Sequence, residues 1–173
     1  MAEAPQVLRV EGRAMLTIRA AGEAAQAVGD AVGAPAPAVR RIETAGARAL
    51  AWMSPDEWLL TAPAGEAATL AAALGEALSG RPHLVVDVSD ARALFRIEGP
   101  GAREVLAKGA PADLSRDAFG PGDFRRTRLG QIACAFWMPR EDAFELVCFR
   151  SVADHAGLWL LNAARPGTLP GVL

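Results

Sequence analysis

The chain has 173 residues, 51% of them hydrophobic and 22% charged, with a formal net charge of -2. That length is enough to bury a substantial core in one domain or two small packed halves, and the near-neutral balance offers no basic surface for nucleic acid. No eighteen apolar residues run together, and MAEAPQVLRVEG at the N-terminus lacks both a basic and an apolar region, so no membrane association is expected and the protein reads as cytoplasmic.

In chain order, Ala14 to Arg19 predicts a strand, Gly22 to Val32 a helix, and residues 34–38 a Pro-rich loop. Strands over Ala47 to Met53 and Trp58 to Thr61 flank Ser54-Pro55-Asp56-Glu57. There Ser54 stands at capping-box distance from Glu57, which suggests a single helical turn. Ala67, Leu70, Ala71, Leu74, Ala77 and Leu78 mark one face of a helix by their spacing of three and four. Leu84, Val85, Val86 and Val88 then predict a buried strand, with Asp87, Ser89 and Asp90 bringing polarity as it ends. A further strand over Ala93 to Ile97 is broken by Gly99-Pro100-Gly101, and Pro100 suits the first turn of a helix whose apolar stripe includes Val105 and Leu106. After a loop over residues 109–122, strands near Phe124 to Leu129, Gln131 to Met138 and Ala143 to Phe149 precede a helix over Ser151 to Ala164. The tail from Arg165 to Leu173, with two prolines and two glycines, cannot continue that helix; it is expected to be flexible or to lie against a partner.

The order repeats. LTIRAAGEAAQAVGDAV lies over LFRIEGPGAREVLAKG at an offset of about 78, and Trp52 and Trp58 lie over Trp137 and Phe144 at offsets of 85 to 86. The expected organisation is therefore α+β, a single domain over residues 1–173 built from two pseudo-repeats, about 7–88 and 89–165, that share one core, with short flexible tails at both ends. A hairpin turn centred on Glu141 places Cys134 opposite Cys148, Phe136 opposite Leu146 and Met138 opposite Phe144, which reads as two buried thiols on an apolar face.

Chemistry is sparse. Gly99-Pro100-Gly101 lacks the third glycine of a dinucleotide fingerprint, and Pro100 removes one of the amides that such a loop needs. His83 and His155 are far apart with no accompanying ligands, and no serine lies in a Gly-x-Ser-x-Gly elbow, so neither a metal site nor a catalytic nucleophile is legible. Asp87 and Asp90 stand at a strand end, where acids either cap the turn or meet a pterin-like ring. Arg125, Arg126 and Arg128 read as a solvated or ion-paired face. Trp52 and Trp137 are expected in the core, and Trp58 and Trp159 nearer a surface.

DVSDARALFRIEGPGAREVLAKGAPADLS resembles the signature of the aminomethyltransferase T-protein superfamily. With SPDEWLL, GQIACAFW and FELVCFRSVADHAGLWL, nearly the whole chain resembles the gamma-subunit family of heterotetrameric sarcosine oxidase. The resemblance implies a folate-binding-type α+β fold and a non-catalytic subunit, with alpha, beta and delta subunits as partners. Such complexes oxidatively demethylate sarcosine to glycine with formation of hydrogen peroxide and one-carbon transfer to tetrahydrofolate. The resemblance puts FAD, FMN, NAD and tetrahydrofolate in the other subunits and no cofactor or metal in this one. The alternative is a free-standing folate- or pterin-binding protein, with Asp87 or Asp90 on the ring. Against independent aminomethyl transfer, Arg128-Leu129-Gly130-Gln131 stands where some relatives carry Lys-Gly-Cys, and the chain is about half a T-protein in length.

Overall fold

The computed structural model describes residues 4–173, which form two compact units, one of residues 12–90 and one of residues 4–11 with 91–173. In the first unit, β2 (Arg13–Ala20), β3 (Ile42–Ala45), β4 (Arg48–Ser54), β5 (Glu57–Pro63) and β6 (His83–Asp87) form an antiparallel sheet in the order β3-β4-β5-β2-β6. Two helices, α1 (Ala25–Val32) and α2 (Ala67–Ala77), each entered through a short 3-10 turn, cover one face. The alternation along the strands sets that face: Leu16 and Ile18 of β2, Leu50 of β4, and Trp58 and Leu60 of β5 turn toward the helices. Val28 and Val32 of α1, then Leu70, Leu74 and Leu78, recur every fourth residue and close the core from the other side.

The second unit repeats the plan. β7 (Arg92–Glu98), β8 (Phe124–Leu129), β9 (Ile132–Arg140) and β10 (Ala143–Phe149) join β1 (Gln6–Val10) in the order β1-β7-β10-β9-β8. Here α3 (Ala102–Ala107) and α4 (Ala153–Ala163) supply Val105, Leu106, Ala156 and Leu160 to a core with Phe95, Phe136, Phe144 and Leu146. Phe119, from the loop between α3 and β8, completes an aromatic cluster with Phe136 and Phe144 at centroid distances of 5.6 and 5.8 Å.

Several expectations need correction. β6 is an edge strand paired with β2 alone; its Leu84 and Val86 are 49% and 39% exposed, and only Val85 packs onto the helices. A β-branched run describes strand propensity, whereas burial depends on what covers the faces of the strand. The segment Ser54-Pro55-Asp56-Glu57 is the β4–β5 hairpin turn, with Ser54 paired to Glu57, and contains no helical turn. Cys134 faces Cys148 and Phe136 faces Leu146 as expected, but a bulge shifts the register before the turn. Arg140 therefore pairs with Ala143, and Asp142 takes a left-handed conformation (φ 54°). Trp58 is fully buried because it belongs to the helix-covered core with Leu16, Ile18 and Leu60, whereas Trp52, its cross-strand partner near the end of β4, is only half-buried. Neither β1 nor β3 was expected; both are short edge strands whose partly polar residues give weak alternation.

Candidate functional site

The Gly99-Pro100-Gly101 turn has an unusual backbone. Gly99 and Gly101 both have positive φ (110° and 84°), and α3 begins at Ala102, after the proline. A Cβ on Gly101 would stand 2.5 Å from Leu169 Cδ1, the movable tip of a side chain, so it is the positive φ that calls for glycine. Pro100 thus sits in the turn and outside the first turn of the helix.

Helix α3 then buries two consecutive charged residues, Arg103 and Glu104, which are 2% and 3% exposed. Arg103 Nη1 donates to the carbonyls of Leu114 and Phe119, both at 2.7 Å. Its Nη2 reaches Glu141 Oε1 at 3.2 Å, and the guanidinium lies 5.7 Å from the Phe144 ring centroid. One cation thereby ties the irregular loop before β8 to the β9–β10 turn, where Glu141 also pairs with Arg116. The sequence held a signal for this: Arg103 stands three residues before Leu106, within the apolar stripe of the predicted helix.

Glu104 faces the C-terminal tail and accepts the backbone N–H groups of Gly171, Val172 and Leu173. Lys108 Nζ donates to Ala163 O at 2.6 Å and to Thr168 Oγ1 at 2.8 Å. The tail therefore lies on its own unit. Burial pushes the Glu104 carboxyl up, but the amides of Gly171, Leu173 and Val172 and the Lys108 charge outweigh it and hold the group below its usual range. A depressed pKa stabilises the folded form at neutral pH, and that contribution is lost as pH falls from the ordinary glutamate range through the lower folded value. Limited proteolysis is expected to release the tail in acid below about pH 4, while Glu104→Ala should release it at neutral pH. Equal protection of the tail in wild type and variant would rule out the clamp.

Asp87 Oδ1 accepts both the N–H of Ser89, at 2.9 Å, and its hydroxyl, at 2.5 Å. Ser89 Oγ in turn accepts the Met15 N–H at 2.9 Å, so Asp87 caps the turn that ends β6. Asp90 is exposed in the same turn. Neither lines the open cavity of about 360 Å³ beside β6, whose wall includes Arg19, Asp56, Pro82, His83 and Leu84.

Burial raises the thiol of Cys134 to about 12, with Cys148 opposite adding to the effect, and burial raises Cys148 as well. At neutral pH neither supplies a thiolate nucleophile. His83 is exposed with Nδ1 2.9 Å from Arg81 O, and His155 is exposed on α4. Arg125 lies over the Phe119 ring at 5.1 Å, while Arg126 and Arg128 are exposed on β8. Among the described residues no three His, Cys, Asp or Glu side chains group so as to hold a metal ion, and no helix is long and apolar enough to cross a membrane.

A solved structure of heterotetrameric sarcosine oxidase from Corynebacterium sp. U-96, in complex with pyrrole 2-carboxylate, matches with a TM-score of 0.88 and 30% identity, covering 100% of this chain and 90% of that one. Aminomethyltransferase T of the glycine cleavage system from Bartonella henselae matches with a TM-score of 0.66 and 17% identity, over 92% of this chain and 46% of that one. This second likeness shows a shared fold. The sarcosine oxidase subunit gamma of Arthrobacter sp. is 34% identical over 152 residues, 88% of this chain and 74% of that protein. Residues 16–165 match the family described as sarcosine oxidase, gamma subunit family, and the chain belongs to that family.

Proposed function

We propose that the chain acts as the non-catalytic gamma subunit of a heterotetrameric sarcosine oxidase, supporting assembly of a complex that oxidises sarcosine to glycine. The observation that carries this reading is the whole-length match to the sarcosine oxidase structure, with 100% of this chain covered. The buried ionisable groups agree with it: Arg103 is spent on loop carbonyls and Glu104 on tail amides, which are structural tasks. In this reading FAD, FMN, NAD and tetrahydrofolate belong to the alpha and beta subunits, and zinc to delta. The two units represent pseudo-repeats of one domain, a reading supported by their matching strand orders and by a bulge just before the turn in each of the hairpins β4–β5 and β9–β10.

Co-expression with the cognate large subunits tests the proposal. The chain is expected to co-purify with them in stoichiometric amount, and its omission should lower the yield and thermal stability of the complex. A chain that never associates, beside a complex equally stable and active without it, would refute the assignment.

A further inference from the structure

We propose that the open edge of β6 and its adjoining cavity form the docking surface for a partner subunit, which adds an extended apolar segment as a sixth strand beside β6. This inference rests on the subunit reading above and names the surface that serves it.

Three observations carry it. The first is the backbone. Val88 N–H donates to Met15 O at 2.8 Å, and these two residues stand directly opposite in the β2–β6 register. Hydrogen-bonded pairs alternate along an antiparallel ladder, so Val86 and Leu84 also turn their backbone groups toward β2. The N–H and C=O groups of Val85 and Asp87 therefore point to the open side, where a fresh strand would meet them.

The second observation is side-chain exposure. Leu84 and Val86 stand on the same side of the strand, turned away from the helices, and are 49% and 39% exposed. Soluble proteins protect edge strands with charge, proline or a covering element, and this edge carries apolar side chains at the positions that a neighbouring strand would cover. Such a surface is a liability unless a partner occupies it.

The third is the cavity beside Leu84, which fixes the occupant's chemistry. Its two charged groups pair with each other. Arg19 Nη2 pairs with Asp56 Oδ2 at 2.7 Å, Asp56 Oδ1 accepts the Ser54 hydroxyl at 2.7 Å, and His83 Nδ1 is held by Arg81 O. With Arg19 and Asp56 paired to each other and Ala20, Ala21, Pro82 and Leu84 in its wall, the cavity complements an uncharged apolar side chain.

The test uses the assembled complex. The double variant Leu84→Glu/Val86→Lys is compared with wild type and with Leu158→Glu, a charge placed on the exposed face of α4. Each is co-expressed with the cognate large subunits, and its fold is checked alone by thermal melting. The β6 variant is expected to fold and to bind the large subunits at least about 30-fold more weakly, while Leu158→Glu binds as wild type does. Hydrogen exchange on the unmutated chain supplies an independent readout, since the amides of Val85 and Asp87 should slow at least about tenfold on assembly. Wild-type association unchanged by the β6 variant, or no slowing at those amides, overturns the docking surface and leaves the subunit reading intact. A wild-type chain that does not associate overturns the subunit reading itself. A dimer of the isolated chain that the β6 variant abolishes, while the complex still forms, assigns the edge to a second copy and also overturns the proposal.

Discussion

Replacing Arg103 with Met is expected to destabilise the second unit by about 3–5 kcal/mol, the range for removing one partner from a buried, hydrogen-bonded charge network. The methionine fills part of the aliphatic volume but leaves the carbonyls of Leu114 and Phe119 without the donors that now reach them at 2.7 Å. Each orphaned buried acceptor costs about 1–3 kcal/mol, which accounts for most of the loss. Glu141 contributes less, because it is half exposed and keeps its pair with Arg116. Lysine should recover only part of the stability, since one ammonium cannot reproduce the planar fork that spans the loop and the hairpin turn. Urea unfolding followed by tryptophan fluorescence measures the change, with Trp137 reporting on this unit. A loss below about 1 kcal/mol would mean that water replaces the guanidinium and that the network is incidental.

Phe119→Ala should cost a similar amount, about 3–5 kcal/mol, as for other buried aromatic truncations. Phe119 is wholly buried among Phe136, Phe144 and the Arg125 guanidinium, yet it belongs to a loop with no ladder of its own. Its ring anchors that loop in the core, and its carbonyl is one of the two that Arg103 holds. Removing the ring loosens the acceptor, so the two substitutions are coupled. A double-mutant cycle should show the combined loss falling short of the sum by about 0.5–3 kcal/mol. Strict additivity would show that ring and guanidinium act separately.

How much of this was legible depends on whether a feature is local. Helices α1, α2 and α4 were readable because Val28 and Val32, Leu70 and Leu74, and Ala156 and Leu160 repeat every four residues, a property of one segment. The facing of Cys134 and Cys148 was readable because a short turn fixes register. Edges were not, since whether a strand has one neighbour or two is decided by distant segments; so β6 was placed inside the sheet, and β1 and β3 went unseen. Of the candidate residues, Asp87 was legible as a turn cap, because Ser89 lies two residues on. Arg103 and Glu104 went unremarked because their partners, Leu114, Phe119 and residues 171–173, stand 11 to 69 positions away.

The position of β1 affects how the chain emerges during synthesis. Gln6 pairs with Glu98 and Val10 with Leu94, so β1 must wait for β7 to leave the ribosome before it has a ladder. The first unit has no such delay, because β6 completes its sheet as soon as Asp87 is out. Deleting residues 1–10 would therefore injure the unit whose other strands are translated after Ala91, while the unit translated directly after the cut keeps all five of its strands.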